Sequence, residues 1–223
     1  MKNPEAGPRA SVQDPSTHII SARYHFAPRE VLASPAFYLL WIGFGLGSTA
    51  GLMVISQLIP FARSQGIASA TIATFSLVIG AFGNVSGRIL SGHTSDRLGR
   101  LNTLRVVLVV AGASMPVLYW VGTQIALLYF MIFVVYFCYG TQASVNPATI
   151  ADFWGTRHAG TNYGMLFTAW GFAGILGPTI GGVLFDKYKN YAAAFYTAAA
   201  LAGIAFLCVL LARRPSLPPA AAS

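Results

Sequence analysis

Five long stretches of this chain contain no Asp, Glu, Lys or Arg: residues 31–62, 64–87, 106–151, 159–185 and 190–212. A helix rising about 1.5 Å per residue needs about 20 mostly apolar residues to cross about 30 Å of hydrocarbon. Each stretch is long enough for one crossing. The third is long enough for two, with Gly122-Thr123-Gln124 as the break. The pattern therefore predicts an all-α membrane protein of six transmembrane helices, at about 36–60, 69–92, 102–121, 125–150, 160–185 and 191–212. Lipid-exposed backbone must satisfy its own hydrogen bonds, and the strand alternation of a barrel is absent. Composition agrees, with 9% charged residues against about 25% in a soluble domain.

The formal charge is +8, but no basic patch interleaved with aromatics is present, so nucleic acid is not an expected partner. The charges flank apolar runs instead. With the N-terminus inside, Lys2, Arg9, Arg23, Arg29, Arg97, Arg100, Arg105, Arg157, Arg213 and Arg214 lie on the cytoplasmic side, against Arg63, Lys187 and Lys189 outside. Both termini are thus expected in the cytoplasm. Residues 1–34 read as a disordered cytoplasmic tail or a linker, with Pro28-Arg29-Glu30 opening a short surface helix. Residues 35–214 form the membrane domain and 215–223 a cytoplasmic tail. No signal-peptide pattern stands at the start. Cys138 and Cys208 fall inside spans, where they act as small apolar residues.

Small residues mark helix contacts. Gly43, Gly47 and Gly51 repeat in the first span and Gly83 and Gly87 in the second, giving flat faces for close packing. The fifth carries Gly171, Gly174, Gly177, Pro178, Gly181 and Gly182, which suit close approach and a bend at the missing proline amide.

Arg88 is the one fixed charge within the second span, at a cost of ~2.5 to ~17 kcal/mol depending on the reference system. Gly80, Asn84 and Arg88 share a helical face that suits protein or water, although Arg88 is also near enough to the span end to snorkel. In the fourth span Gln142 and Asn146 share a face, either toward a hydrated cavity or as interhelical hydrogen bonds of ~0.6 kcal/mol. Trp170 lies mid-span, away from the interfacial belt, and serves either packing or substrate contact.

Between the second and third spans, Gly92-His93-Thr94-Ser95-Asp96-Arg97-Leu98-Gly99-Arg100 fits G-x-x-x-D-R-x-G-R on a short cytoplasmic loop. Gly92 would let the helix end pack on a neighbour, Gly99 would permit a tight turn, and Asp96 could face a helix N-terminus or an arginine. For Arg100 and Arg105 a role as topological markers serves equally well. The pattern resembles motif A of the major facilitator superfamily, in which the Asp latches the cytoplasmic side against the opposite six-helix half. That resemblance implies a cytoplasmic gate formed by Gly92, Asp96, Arg97, Gly99 and Arg100.

Further segments narrow the resemblance: Phe37-Tyr38-Leu39-Leu40-Trp41, Thr49-Ala50-Gly51-Leu52-Met53-Val54, Gly87-Arg88, and residues 161–171 from Thr161 to Gly171. Over about residues 26–214 the chain resembles the C-terminal six helices of the oxalate:formate antiporter family. The resemblance implies one half of a major facilitator fold in a bacterial inner membrane. It also implies an anion site in which Arg88 matches one of two basic residues of the oxalate exchanger and Tyr139 matches a cavity-lining aromatic. Trp170 stands where the second basic residue is a lysine. One guanidinium compensates a dianion poorly, so the expected cargo is a monocarboxylate such as formate, lactate or pyruvate, with oxalate as a further candidate.

The expected partners are a small organic anion, the lipid bilayer, and a second six-helix half or a homodimer partner. No cofactor or metal is called for. An intramembrane enzyme is the rival reading, but His18, His25, His93 and His158 all fall in expected tails or loops, leaving no span-borne base or metal ligand. A channel is a second rival. A truncated half that transports nothing alone is the third, since residues 1–30 resemble the loop between two halves.

Overall fold

In the computed structural model the described residues are 25–66 and 70–215, with side chains described outside 70–73. The tail segments 1–24 and 216–223 lie outside them. Seven helices form in these residues: α1 Pro28–Leu32, α2 Pro35–Ser64, α3 Ala70–Leu98, α4 Arg100–Val121, α5 Ile125–Trp154, α6 Ala159–Tyr188 and α7 Ala192–Leu211. The chain is all-helical there, and each expected span falls on one of α2 to α7. Five helices, α2 and α4 to α7, are long and apolar enough to cross a membrane. The apolar run of α3 is interrupted by Asn84 and Arg88.

Several helices exceed a minimal span. Three have 30 residues, about 45 Å at helical rise, against a hydrocarbon core of about 30 Å. Helices of that length cross the layer either tilted or with ends beyond it. The difference from expectation is greatest where α3 continues through Leu98 and α4 starts at Arg100, leaving only Gly99 between them. The G-x-x-x-D-R-x-G-R segment is thus a helix end and a one-residue turn rather than a loop, and His93 is helical. Gly99 has φ +85°, a conformation that costs glycine little.

Helix α3 packs along α5, α2 packs between α6 and α7, and α4 packs against α5 and α7. Small residues set these distances. A Cβ on Gly83 would stand 2.6 Å from the Phe133 carbonyl oxygen, and one on Gly87 or Gly140 would collide with the Phe137 or Asn84 carbonyl. Gly43 faces Val209, Gly47 faces Gln142 and Leu108, and Gly51 faces the Tyr139 ring. The glycine stripe of α6 is only half used: Gly177 and Gly181 meet α2, whereas Gly171, Gly174 and Gly182 face open space. The helix runs unbroken through Pro178.

The main apolar core joins α2, α4, α5 and α7 through Met53, Phe61, Met115, Ile132 and Phe195. A second cluster gathers Phe37, Trp154 and Leu166. It also holds Phe26 and Val31, and the Phe26 amide donates to the Trp154 carbonyl at 3.0 Å. The last part of the expected tail is thus packed, because these two apolar side chains have a core to join. The outer surface is the reverse of a soluble protein's. Phe82, Ile89, Trp120, Ile175 and Leu211 are 65–71% exposed, as lipid-facing side chains are.

Candidate functional site

The close backbone contact of α3 with α5 positions the first part of the site. Thr141 donates from Oγ1 to the Gly87 carbonyl at 3.3 Å, and Ser144 donates from Oγ to the Arg88 carbonyl at 3.2 Å. These bonds tie the α3 backbone at Gly87-Arg88 to α5 and leave the Arg88 side chain exposed. Its Nε donates to Asn84 Oδ1 at 3.0 Å, one turn back. The expected polar face of Asn84 and Arg88 is therefore formed. Gly80 meets the Tyr136 ring instead and contributes close packing.

Helices α5 and α6 supply the aromatic part. Trp170 Nε1 donates to Tyr139 Oη at 2.5 Å. Phe167 stacks on Trp170 with centroids 5.0 Å apart and planes 15° apart, and Tyr163 follows at 5.5 Å from Phe167. The Arg88 guanidinium is within electrostatic reach of the Tyr139 and Tyr163 hydroxyls. Three helices thus bring together a cation, a carboxamide and an aromatic wall. A guanidinium presents a planar fork that matches a carboxylate, and aromatic faces shield such a pair from water.

Gln142 and Asn146 are not brought to this surface. Each is 3% exposed, and each turns onto its own helix, Gln142 Nε2 toward the Cys138 carbonyl at 3.5 Å and Asn146 Nδ2 to the Gln142 carbonyl at 2.8 Å. Neither sequence expectation is realised, since the amides face no cavity and donate to carbonyls of their own helix rather than across to a neighbour. Buried amides take the nearest carbonyls when the neighbouring surface, here Gly47 and Leu108, offers no donor or acceptor side chain.

The G-x-x-x-D-R-x-G-R segment is a second constellation, at the end of the bundle that carries most of the arginines. Arg100 Nη2 meets Asp96 Oδ1 at 2.5 Å, its Nε meets Asp152 Oδ2 at 3.1 Å, and its Nη1 donates to Ser95 Oγ. The expected carboxylate–arginine pairing of Asp96 is present, with Asp152 of α5 as a second anion. Arg97 is exposed and has no polar partner among the described residues. Gly92 faces open space rather than a neighbour, so its expected packing role is not realised within this chain. Nearby, Arg105 Nη2 donates to the Val209 and Leu210 carbonyls at 3.4 and 3.3 Å, a cation on the last turn of α7.

Sequence reasoning did not single out Tyr163, Phe167 or Asp152. Tyr163, Phe167 and Trp170 follow an i, i+4, i+7 spacing, a readable helix face. Asp152 carried no such signal, because its distance from Arg100 along the chain is bridged only by the fold.

The Major Facilitator Superfamily model matches the chain over residues 2–178 and again over 108–223. Among curated proteins, the oxalate:formate antiporter of Oxalobacter formigenes is 29% identical over 87% of this chain and 46% of its own length. The uncharacterized MFS-type transporter YhjX of Escherichia coli (strain K12) is 24% identical over 72% of this chain and 39% of its own length. The chain spans less than half the length of these relatives. On the family match over most of its length, this multi-pass helical chain belongs to the Major Facilitator Superfamily.

Proposed function

We propose that the chain is a six-helix half of a secondary carrier for small carboxylate anions, and that Arg88 binds the carboxylate. The observation that carries this reading is an exposed guanidinium in the apolar part of α3, bonded to Asn84 and without an acidic partner among the described residues. A cation placed among apolar residues is costly unless an anion compensates it. Tyr139 and Trp170, joined at 2.5 Å, wall the site with Tyr163 and Phe167. One guanidinium favours a monocarboxylate such as formate, lactate or pyruvate over dianionic oxalate. Similarity to an oxalate:formate antiporter supports anion exchange.

In this reading α2 to α7 all cross a bacterial inner membrane, with both termini and the Asp96–Arg100 gate on the cytoplasmic side. Carriers of this kind hold substrate between two halves that rock around it, so a second six-helix unit or a second copy of the chain completes the site. The alternative is a half that transports nothing alone.

The test is exchange of radiolabelled formate, lactate, pyruvate and oxalate in proteoliposomes, with the chain alone and with a co-expressed second half. Removing one partner of a buried charge pair costs about 2–5 kcal/mol, so Arg88→Ala is expected to weaken half-saturation about 30-fold or more. Normal exchange by Arg88→Ala would sink the assignment.

A further inference from the structure

A cleft of about 260 Å³ opens at the arginine-rich end of the bundle, lined by Gly99, Arg100, Leu101, Asn102, Arg105, Phe153 and Arg214. It lies where the start of α4, the end of α5 and the segment after α7 converge, and no acidic residue lines it. We propose that this cleft binds a phosphate group, from either an anionic phospholipid headgroup or free phosphate.

Each arginine contributes differently. Arg100 is fully engaged, with Asp96, Asp152 and Ser95 taking its nitrogens, so it is a fixed wall. Arg105 uses both terminal nitrogens, on Asn102 Oδ1 at 2.8 Å and on the α7 carbonyls. Its Nε is buried with no hydrogen-bond partner. Arg214 lies over the Phe153 ring, 5.9 Å from its centroid, and makes no ion pair among the described residues. Its donors are the ones available to a ligand. The start of the 22-residue α4 adds to this, because Gly99 gives it no side-chain cap and first-turn amides have no intrahelical acceptor.

Anionic charge is what such a cleft recognises. Its arginine-rich rim adjoins the apolar flanks of α4 and α7, where Val106 and Leu211 are 56% and 65% exposed, the level at which headgroups lie above acyl chains. The cleft is separate from the Arg88 surface and does not depend on the transport reading.

The test uses the detergent-purified full chain, titrated with phosphatidylglycerol, phosphatidylcholine or inorganic phosphate at constant ionic strength. Binding is read by native mass spectrometry and by the thermal midpoint. Retention of phosphatidylglycerol over phosphatidylcholine identifies the lipid source. A midpoint rise with inorganic phosphate, but not with chloride, identifies free phosphate. In either case Arg214→Gln, whose side chain makes no hydrogen bond or ion pair among the described residues, is expected to weaken binding about fivefold. Arg63→Gln, exposed at the opposite end of the bundle, is expected to leave binding unchanged. Arg105→Gln adds a second loss, read only if its unliganded midpoint matches the wild type. The proposal is overturned if no anion binds better than phosphatidylcholine or chloride, or if Arg214→Gln binds as the wild type does.

Discussion

The α3–α5 contact makes a sharp test of how the site is built, through Gly83→Ala. A Cβ at Gly83 would sit 2.6 Å from the Phe133 carbonyl oxygen, whereas an unstrained carbon–oxygen contact is about 3.3 Å. The helices must then separate by about 0.7 Å. The obstacle is backbone, so no side-chain rotation relieves it. Overpacking of this kind costs about 1–3 kcal/mol, set against a gain of about 1 kcal/mol from replacing glycine in a helix. The net loss is up to about 2 kcal/mol, or a fall of about 4–8 °C in the thermal midpoint at this chain length. Gly174→Ala supplies the control, since its Cβ would meet open space and only the propensity gain remains. Midpoints of both variants in one detergent, followed by tryptophan fluorescence, check the reasoning. If Gly83→Ala is as stable as Gly174→Ala, the close approach of α3 and α5 does not exist, and neither does the scaffold that holds Asn84 and Arg88.

Trp170→Lys places a second cation opposite Arg88 and is expected to raise exchange of oxalate relative to formate. An unchanged ratio in proteoliposome counterflow would contradict a charge-counting site. Trp170→Phe removes the hydrogen bond to Tyr139 Oη and part of the surface stacked on Phe167, and is expected to weaken substrate binding severalfold without changing the preferred anion. Asp152→Asn is expected to cost at most about 1 kcal/mol, because the pair with Arg100 is partly exposed and screened by salt. A double-mutant cycle with Arg100→Ala, repeated in high salt, measures that coupling. Asn162 is fully buried with neither amide atom bonded, so Asn162→Leu is expected to raise the thermal midpoint by removing a desolvated amide.

The extent of charge-free sequence was enough to find every long helix, because bilayer thickness sets a minimum apolar length that few other constraints imitate. It could not set the helix ends. Backbone hydrogen bonding continues past the apolar layer until a residue such as Gly99 or Gly155, both at positive φ, turns the chain. The spacing of Gly83 and Gly87 announced a close contact, and that of Asn84 and Arg88 announced a polar face. Whether a glycine met a neighbour was a different matter: Gly177 and Gly181 do, while Gly92, Gly171 and Gly174 do not.

The same limit governs the site. Spacing put Gln142 and Asn146 on one helical face, and Tyr139 was a candidate through the family resemblance. Only the packing of α2 and α4 against α5 buried the two amides, while Tyr139 was left to meet Trp170. The Arg100–Asp152 pair and the cleft beneath Arg214 exist because the start of α4, the end of α5 and the segment after α7 meet. Sequence determined which segments prefer lipid, since that preference is additive along the chain. Tertiary structure decided which polar groups remain available, since that depends on which surfaces neighbouring helices cover.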